Sequence, residues 1–172
     1  YLSSQHLWSA RHFTRLADDY ERDHADDSRI SVQHRAYVLS AFPAARRFYG
    51  AAIELWPEDD DARADLLFRH ARAAHAEMPT QSLELITDAR DALLAAGDRA
   101  QTAEAEILIS EVYWLLGSRD EGFARVNAAR ALIADQPNSY SKAYVIANVS
   151  RYATLAGEHE DGIRVGREAL AM

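Results

Sequence analysis

The chain predicts an all-α fold assembled from repeated helical hairpins, and three observations carry that prediction. Its 172 residues hold 33 alanines against seven glycines and four prolines, a mixture that favours closely packed helices over loops or sheet. Apolar residues recur at helical spacing through most of the chain, interrupted by glycine, proline or acidic clusters. Small residues then repeat at a long period: Ala51, Ala89, Ala129 and Ala169 are separated by 38, 40 and 40 positions.

The first element, about Ser4 to Arg22, places Phe13, Leu16, Ala17 and Tyr20 on one stripe and reads as an amphipathic helix. The polar, acidic stretch Asp23 to Ser28 reads as a loop. A second helix is expected from about Arg29 to Ala41, burying Ile30, Ala36, Tyr37 and Phe42, and ending before Pro43. Proline suits the first turn of a helix and not its interior, so a third helix is expected from Pro43 to Trp56, stopped by Pro57. Glu58-Asp59-Asp60-Asp61 then sets negative charge at the start of a fourth helix, where the macrodipole favours it. Pro79-Thr80, Gly97-Asp98, Pro137-Asn138 and Gly157 separate the remaining helices, giving nine in all and no strand. The Ile107-Leu108-Ile109 run has β preference, but the helical pattern on both sides outweighs it.

The clearest hairpin lies between Ala103 and Leu132. Its first limb is apolar almost all round, broken mainly by Ser110 and Glu111, as expected of a helix covered on most sides. Gly117 suits the left-handed conformation that ends a helix, and Ser118 with Glu121 has the spacing of a capping box that starts the next. Asp98 with Gln101 has the same spacing.

Copies of this unit can be aligned. Seven residues before each of the four alanines stands another small residue: Ala44, Ser82, Gly122 and Gly162. The column beside them, Ala45, Leu83, Phe123 and Ile163, is mostly large and apolar. In the preceding helices Ala71, Ser110 and Ser150 align, followed by Ala74, Tyr113 and Ala153. Small residues at matched heights let helix backbones approach closely, and a hairpin that cannot bury its apolar face alone gains by stacking on a copy.

These residues resemble the tetratricopeptide repeat family. Its pattern has a small residue about eight into the first helix, met by Ala71, Ser110 and Ser150, and one opening the second helix, met by Ala44, Ser82, Gly122 and Gly162. An alanine follows seven later, and Pro57 and Pro137 match the proline after the second helix. The period exceeds the family's usual 34, and Leu67, Glu106 and Ile146 stand where it has an early tryptophan. The longer spacing is similar to the degenerate repeats in the C-terminal tails of bacterial signal-transduction ATPases, including LuxR-type and cyclase-linked forms. Ala44 to Tyr49, Leu55 to Asp59 and Arg63 to Arg69 are worded like those tails. The resemblance implies a right-handed superhelix of about four hairpins, over 29–57, 58–97, 98–137 and 138–172, behind a leading helix and acidic loop over 1–28.

Bulk properties narrow the function. A net charge of −8 with only one adjacent basic pair, Arg46-Arg47, argues against nucleic-acid binding, which needs a concentrated basic stripe. No apolar run reaches the roughly 18 residues of a membrane span, so no membrane partner is expected. The absence of cysteine removes disulfides and thiolate chemistry and fits a reducing compartment, so a cytoplasmic location is expected. A start at Tyr1 and a stop at Leu170-Ala-Met172 within a helical pattern read as a piece of a longer protein.

Candidate chemistry is sparse. Glu21-Arg-Asp-His24 has the spacing used twice in di-iron bundles, but it occurs once, at an expected helix end. His70 and His75 are five apart, not the three or four that share a helical face. Asp59 to Asp61 lack the alternating ligands, turn glycine and distal glutamate of a calcium loop. No phosphate loop or nucleophile elbow occurs. The expectation is a segment with no catalytic residue, no metal and no cofactor.

What remains is a surface row. The resemblance implies that Arg72, Glu111 and Arg151 point into a concave groove, with His75 and Trp114 one turn along and Tyr144 earlier in its helix. Such a row suits a protein or peptide segment, from the parent chain or another, held by ion pairs and aromatic contact. The competing reading is a structural ladder in which Glu111 bridges the arginines and the chain is a passive spacer. A metal-dependent helical enzyme is the remaining alternative. An exposed terminal helix also offers a face for dimer formation.

Overall fold

The computed structural model describes residues 11, 12, 14, 15, 32–60 and 62–172, with backbone alone over 32–41. Among these the protein is all-α: seven α-helices, one 3-10 turn and no strand. The helices are α1 (Val32–Leu55), α2 (Arg63–Glu77), α3 (Leu83–Ala95), α4 (Arg99–Leu115), α5 (Arg119–Ile133), α6 (Tyr140–Leu155) and α7 (His159–Leu170), with the 3-10 turn at Pro79–Gln81. The chain forms two compact units, 1–89 and 90–172, and the division falls within α3. Of the expected leading helix, residues 11, 12, 14 and 15 are described and are helical, and Glu21 to His24 lie outside the described residues.

In the first unit α1 packs along α2. Ala45, Tyr49 and Ala52 of α1 meet Leu66 and Ala73 of α2, with Phe48, Ile53 and Trp56 at the margin of the cluster. Arg46 Nε donates to Glu77 Oε2 at 2.6 Å across the pair. At the end of α1 the Arg63 guanidinium donates to the carbonyls of Ile53 (3.0 Å) and Trp56 (2.9 Å), satisfying acceptors that the helix leaves open. Asp60 accepts from the Ala62 amide at 2.9 Å, which turns the chain into α2.

One expectation is corrected here. The separate helices expected on either side of Pro43 are a single 24-residue helix with Pro43 inside it. Proline removes one amide donor and crowds one carbonyl, a local penalty of about 3 kcal/mol. Burial of Ala45, Tyr49 and Ala52 within the next three turns outweighs it. The expected break therefore does not form.

In the second unit α4 pairs with α5 and α6 with α7, and α6 lies against both helices of the first hairpin. The core runs through Ala103 and Ile107, then Val126, Ala129 and Ile133, then Val145, Ile146, Val149 and Tyr152, closing on Val165. As expected of a central helix, α4 is buried without interruption from Thr102 to Ile107.

Three helix ends are built alike. Gly97, Gly117 and Gly157 have φ of 77°, 80° and 87°. At each, the glycine amide reaches the carbonyl three residues back and the next amide the carbonyl five back, as in Gly117 N to Trp114 O (3.1 Å) and Ser118 N to Tyr113 O (2.9 Å). This pairing satisfies the last carbonyls of the helix through one left-handed residue. The following residue then takes the cap position of the next helix, where Asp98 Oδ1 accepts from Gln101 N at 2.9 Å as its spacing predicts and Glu158 makes no capping bond. Ser118 occupies the cap position of α5, but its side chain makes no capping bond. Ser139 caps α6 by accepting from Lys142 N at 3.2 Å.

The aligned small residues face packed surfaces. Ala89 and Ala129 are fully buried, and Ala51 and Ala169 are partly so. A methyl built on Gly122 would lie 3.3 Å from the Ser110 carbonyl, and one on Gly162 would lie 3.2 Å from the Ser150 carbonyl. Both hairpins thus use a glycine set against the backbone of a serine twelve positions earlier. Ile163 departs from the expected filling column, with 58% of its surface exposed.

Candidate functional site

Two residues of the expected row, Glu111 of α4 and Arg151 of α6, are in contact. Arg151 Nη2 donates to Glu111 Oε1 at 2.6 Å, joining the two helices by residues 40 apart in sequence. The same guanidinium lies 5.1 Å above the Tyr152 ring, so its position is set by a carboxylate on one side and an aromatic face on the other. Arg151 keeps about half of its side chain exposed and Glu111 a quarter. Water therefore reaches this ion pair and screens it.

Beneath it lies an aromatic trio. Trp114 meets Phe123 at 6.1 Å and Tyr152 at 5.6 Å between ring centroids, both edge to face, and Phe123 meets Tyr152 at 5.9 Å. The Arg119 guanidinium covers Trp114 at 5.1 Å. Trp114 is thus engaged on two sides by rings and on a third by a cation. The Tyr152 hydroxyl is 3.0 Å from Ser110 Oγ, which is also 2.6 Å from the Ile107 carbonyl. Burial pushes the Tyr152 phenol above its ordinary range, outweighing the opposing effects of Ser110 and Arg151. The hydroxyl therefore stays protonated and bonded well into the alkaline range.

Tyr144 packs against the core of the second unit and stacks on Tyr140, with centroids 6.4 Å apart and planes 16° from parallel. Tyr140 is 78% exposed, and the sequence reading passed over it. Arg72 and His75 belong to the first unit. There Arg72 covers the Phe68 ring at 5.8 Å, and His75 Nδ1 lies 3.1 Å from Ser82 Oγ. Ser82 gives its single proton to the Pro79 carbonyl at 2.7 Å, so the histidine nitrogen is the donor in that pair.

Sequence reasoning also missed a charge cluster. Glu106 is 4% exposed and accepts from Arg90 Nη1 at 2.9 Å and Arg125 Nη1 at 3.4 Å. The signal was present, because Glu104 and Glu106 interrupt an apolar run and a buried carboxylate must be paired. The partners were not legible, because neither arginine shares a helix with Glu106. This cluster is an Arg-Glu-Arg set, as the expected row was, but its carboxylate is buried, and Arg90 is also paired with Asp91 at 2.8 Å.

Among the described residues no group of three or more His, Asp or Glu side chains is placed to hold a metal ion. Among the same residues no helix is long and apolar enough to cross a membrane. No protein-family model matches the chain, and no curated protein matches it in sequence.

Proposed function

We propose that this chain is a non-catalytic interaction or regulatory scaffold segment, made of tetratricopeptide-like hairpins, from a larger bacterial signalling ATPase or transcriptional regulator of the cytoplasm. One observation carries the reading. Gly122 and Gly162 lie against the carbonyls of Ser110 and Ser150 in consecutive hairpins, leaving 3.3 Å and 3.2 Å to a methyl built on each, and each hairpin turns on a left-handed glycine. Repetition of that kind supports stacking, and stacked hairpins present side chains from successive first helices on one wall. On that wall Glu111 and Arg151 offer one charge of each sign, and Tyr140 and Tyr144 offer aromatic surface. An extended peptide carrying both charges is the matching ligand.

A second reading has its own support. The 2.6 Å contact between Glu111 and Arg151 leaves each charge answered by the other, as a passive spacer needs. Fluorescence anisotropy with a panel of short mixed-charge peptides separates the two. The scaffold reading expects a peptide that binds the native chain and loses about tenfold or more in affinity on Glu111→Lys, the usual scale for a charge pair at a recognition site. It expects the loss to persist in Glu111→Lys/Arg151→Glu, which restores the pair with reversed polarity. No binding by any peptide, or equal binding by all three proteins, supports the spacer.

A further inference from the structure

Glu104 stands two residues before the paired Glu106 of α4 and is 9% exposed. A buried carboxylate is costly to leave unanswered, yet among the described residues no hydrogen bond or ion pair reaches this one. Its oxygens are also not among the side-chain atoms that are wholly enclosed and unpaired, which are Trp56 Nε1 and Arg90 Nε. The stem of Glu104 is therefore packed while its carboxylate still meets water. Short turns on both sides of α5 send α4 and α6 in one direction, and Glu111 meets Arg151 at 2.6 Å. Glu104 lies seven residues before Glu111 on one line of α4, and Tyr144 seven before Arg151 on one line of α6. Two turns back from the ion pair, about 10 Å along the helices, Glu104 thus comes level with Tyr144. Tyr144 packs against the cluster that holds Ala103 and Ile107, the neighbours of Glu104 on α4. Both cations of α6 are committed elsewhere, Arg151 to Glu111 and Lys142 to the Gln136 carbonyl at 2.7 Å.

We infer that Glu104 and Tyr144 seat the ammonium of a lysine side chain, carried by the peptide segment that this wall receives. The carboxylate calls for a cation, because an apolar or anionic group placed over it would bury the charge unanswered. Tyr144, stacked on the 78% exposed Tyr140, supplies an aromatic face that attracts a cation and covers the methylene stem behind it. A recessed carboxylate also selects between the two basic side chains. The slim stem and compact charge of lysine can reach it, whereas the flat guanidinium of arginine needs the width of two coplanar donors. A metal ion is a poorer match, since among the described residues no group of three His, Asp or Glu side chains surrounds one point. The seat and the Glu111–Arg151 pair are separate contacts for one extended ligand. The inference takes its ligand class from the groove reading above, and the seat is tested without it.

Amide NMR spectra of the full chain, titrated at fixed ionic strength with Nα-acetyl-lysine amide, test the seat. Saturable shifts centred on Glu104 and Tyr144 are expected at millimolar probe, the range of a single side-chain contact. The norleucine analogue, with the same stem and no charge, should give none, and the arginine analogue should bind more weakly. Glu104→Gln keeps the shape of the side chain and should weaken lysine binding about tenfold, the scale of a hydrogen bond to a charged group. Tyr144→Leu should weaken it about threefold through loss of the ring face. Glu160→Gln, which removes an exposed charge on α7, should leave it unchanged. The thermal midpoint of Glu104→Gln should equal or exceed that of the native chain, since a neutral amide replaces an unpaired charge. A lower midpoint would show that the carboxylate holds the fold, and overturns the inference. So does the absence of saturable shifts, equal binding of the norleucine analogue, or binding indifferent to Glu104→Gln. Shifts centred on Glu111 overturn the seat but leave the groove reading standing. Lysine binding at Glu104 with no binding across the peptide panel supports the seat and sinks the groove reading.

Discussion

Glu106 shows how much one side chain holds in place. Its carboxylate sits in the buried stretch of α4, and two arginines from other helices reach it. Glu106→Ala leaves the largely buried Arg90 with Asp91 (2.8 Å) as its remaining carboxylate, and the expected loss is roughly 2–4 kcal/mol in urea unfolding, below the full buried-pair value because Asp91 still answers Arg90 and Arg125 stays in reach of water. Removing both charges, in Glu106→Leu/Arg90→Leu, should recover most of that loss, since no charge is then desolvated. His70 gives a pH effect of definite sign. Burial first, and then the charge of Arg46, lower its pKa from the ordinary 6.5. As pH falls below 6.5 the unfolded chain takes up a proton that the folded ring refuses, so stability drops with acidification until the lowered native value is passed. Urea midpoints measured between neutral and mildly acid pH should fall for the native chain, and less steeply for His70→Gln.

At the scale of a helix, glycine and proline positions decide more than propensity does. Alanine is favoured over glycine in a helix by about 1 kcal/mol, yet Gly162→Ala should destabilise. The added methyl meets the Thr154 hydroxyl, which is held to the Ser150 carbonyl at 3.0 Å, and lies 3.2 Å from that carbonyl itself. Backbone atoms cannot swing aside, so a net loss of about 1–2 kcal/mol in thermal or urea unfolding is expected. Gly122→Ala should cost less, because its nearest neighbour is one carbonyl at 3.3 Å with no hydroxyl in the way. Pro43 is the converse case. Because α1 runs through Pro43, Pro43→Ala restores a helical hydrogen bond and should raise stability by about 1–3 kcal/mol in urea unfolding.

For the molecule as a whole, charge is unbalanced. The apolar clusters Ala45–Ala73 and Ala103–Val165 share no residue, so each unit carries a core of its own. Twenty-seven acidic side chains stand against nineteen basic ones. Several of the ion pairs, such as Arg164 with Asp161, lie in water and contribute little. Net repulsion should therefore outweigh pairing at low ionic strength. Raising salt from about 10 mM to about 150 mM shortens the screening length from about 30 Å to about 8 Å. Thermal midpoints should rise across that range, and a fall would mean that the paired charges dominate.

Periodicity and end signals determined the helical class, the left-handed turn at Gly117, the cap at Asp98 and the burial of α4, because each is a matter of neighbours along the chain. They also put Glu111 and Arg151 in one row, and the two side chains are in contact at 2.6 Å. Pro43 was misread because a local penalty was weighed without the burial that opposes it, and that burial depends on α2. The pairing of Glu106 with Arg90 and Arg125, the enclosure of Trp114 by Phe123, Tyr152 and Arg119, and the exposure of Ile163 were decided by tertiary packing alone. Each depends on which helix comes to lie beside which, and no residue carries that information by itself.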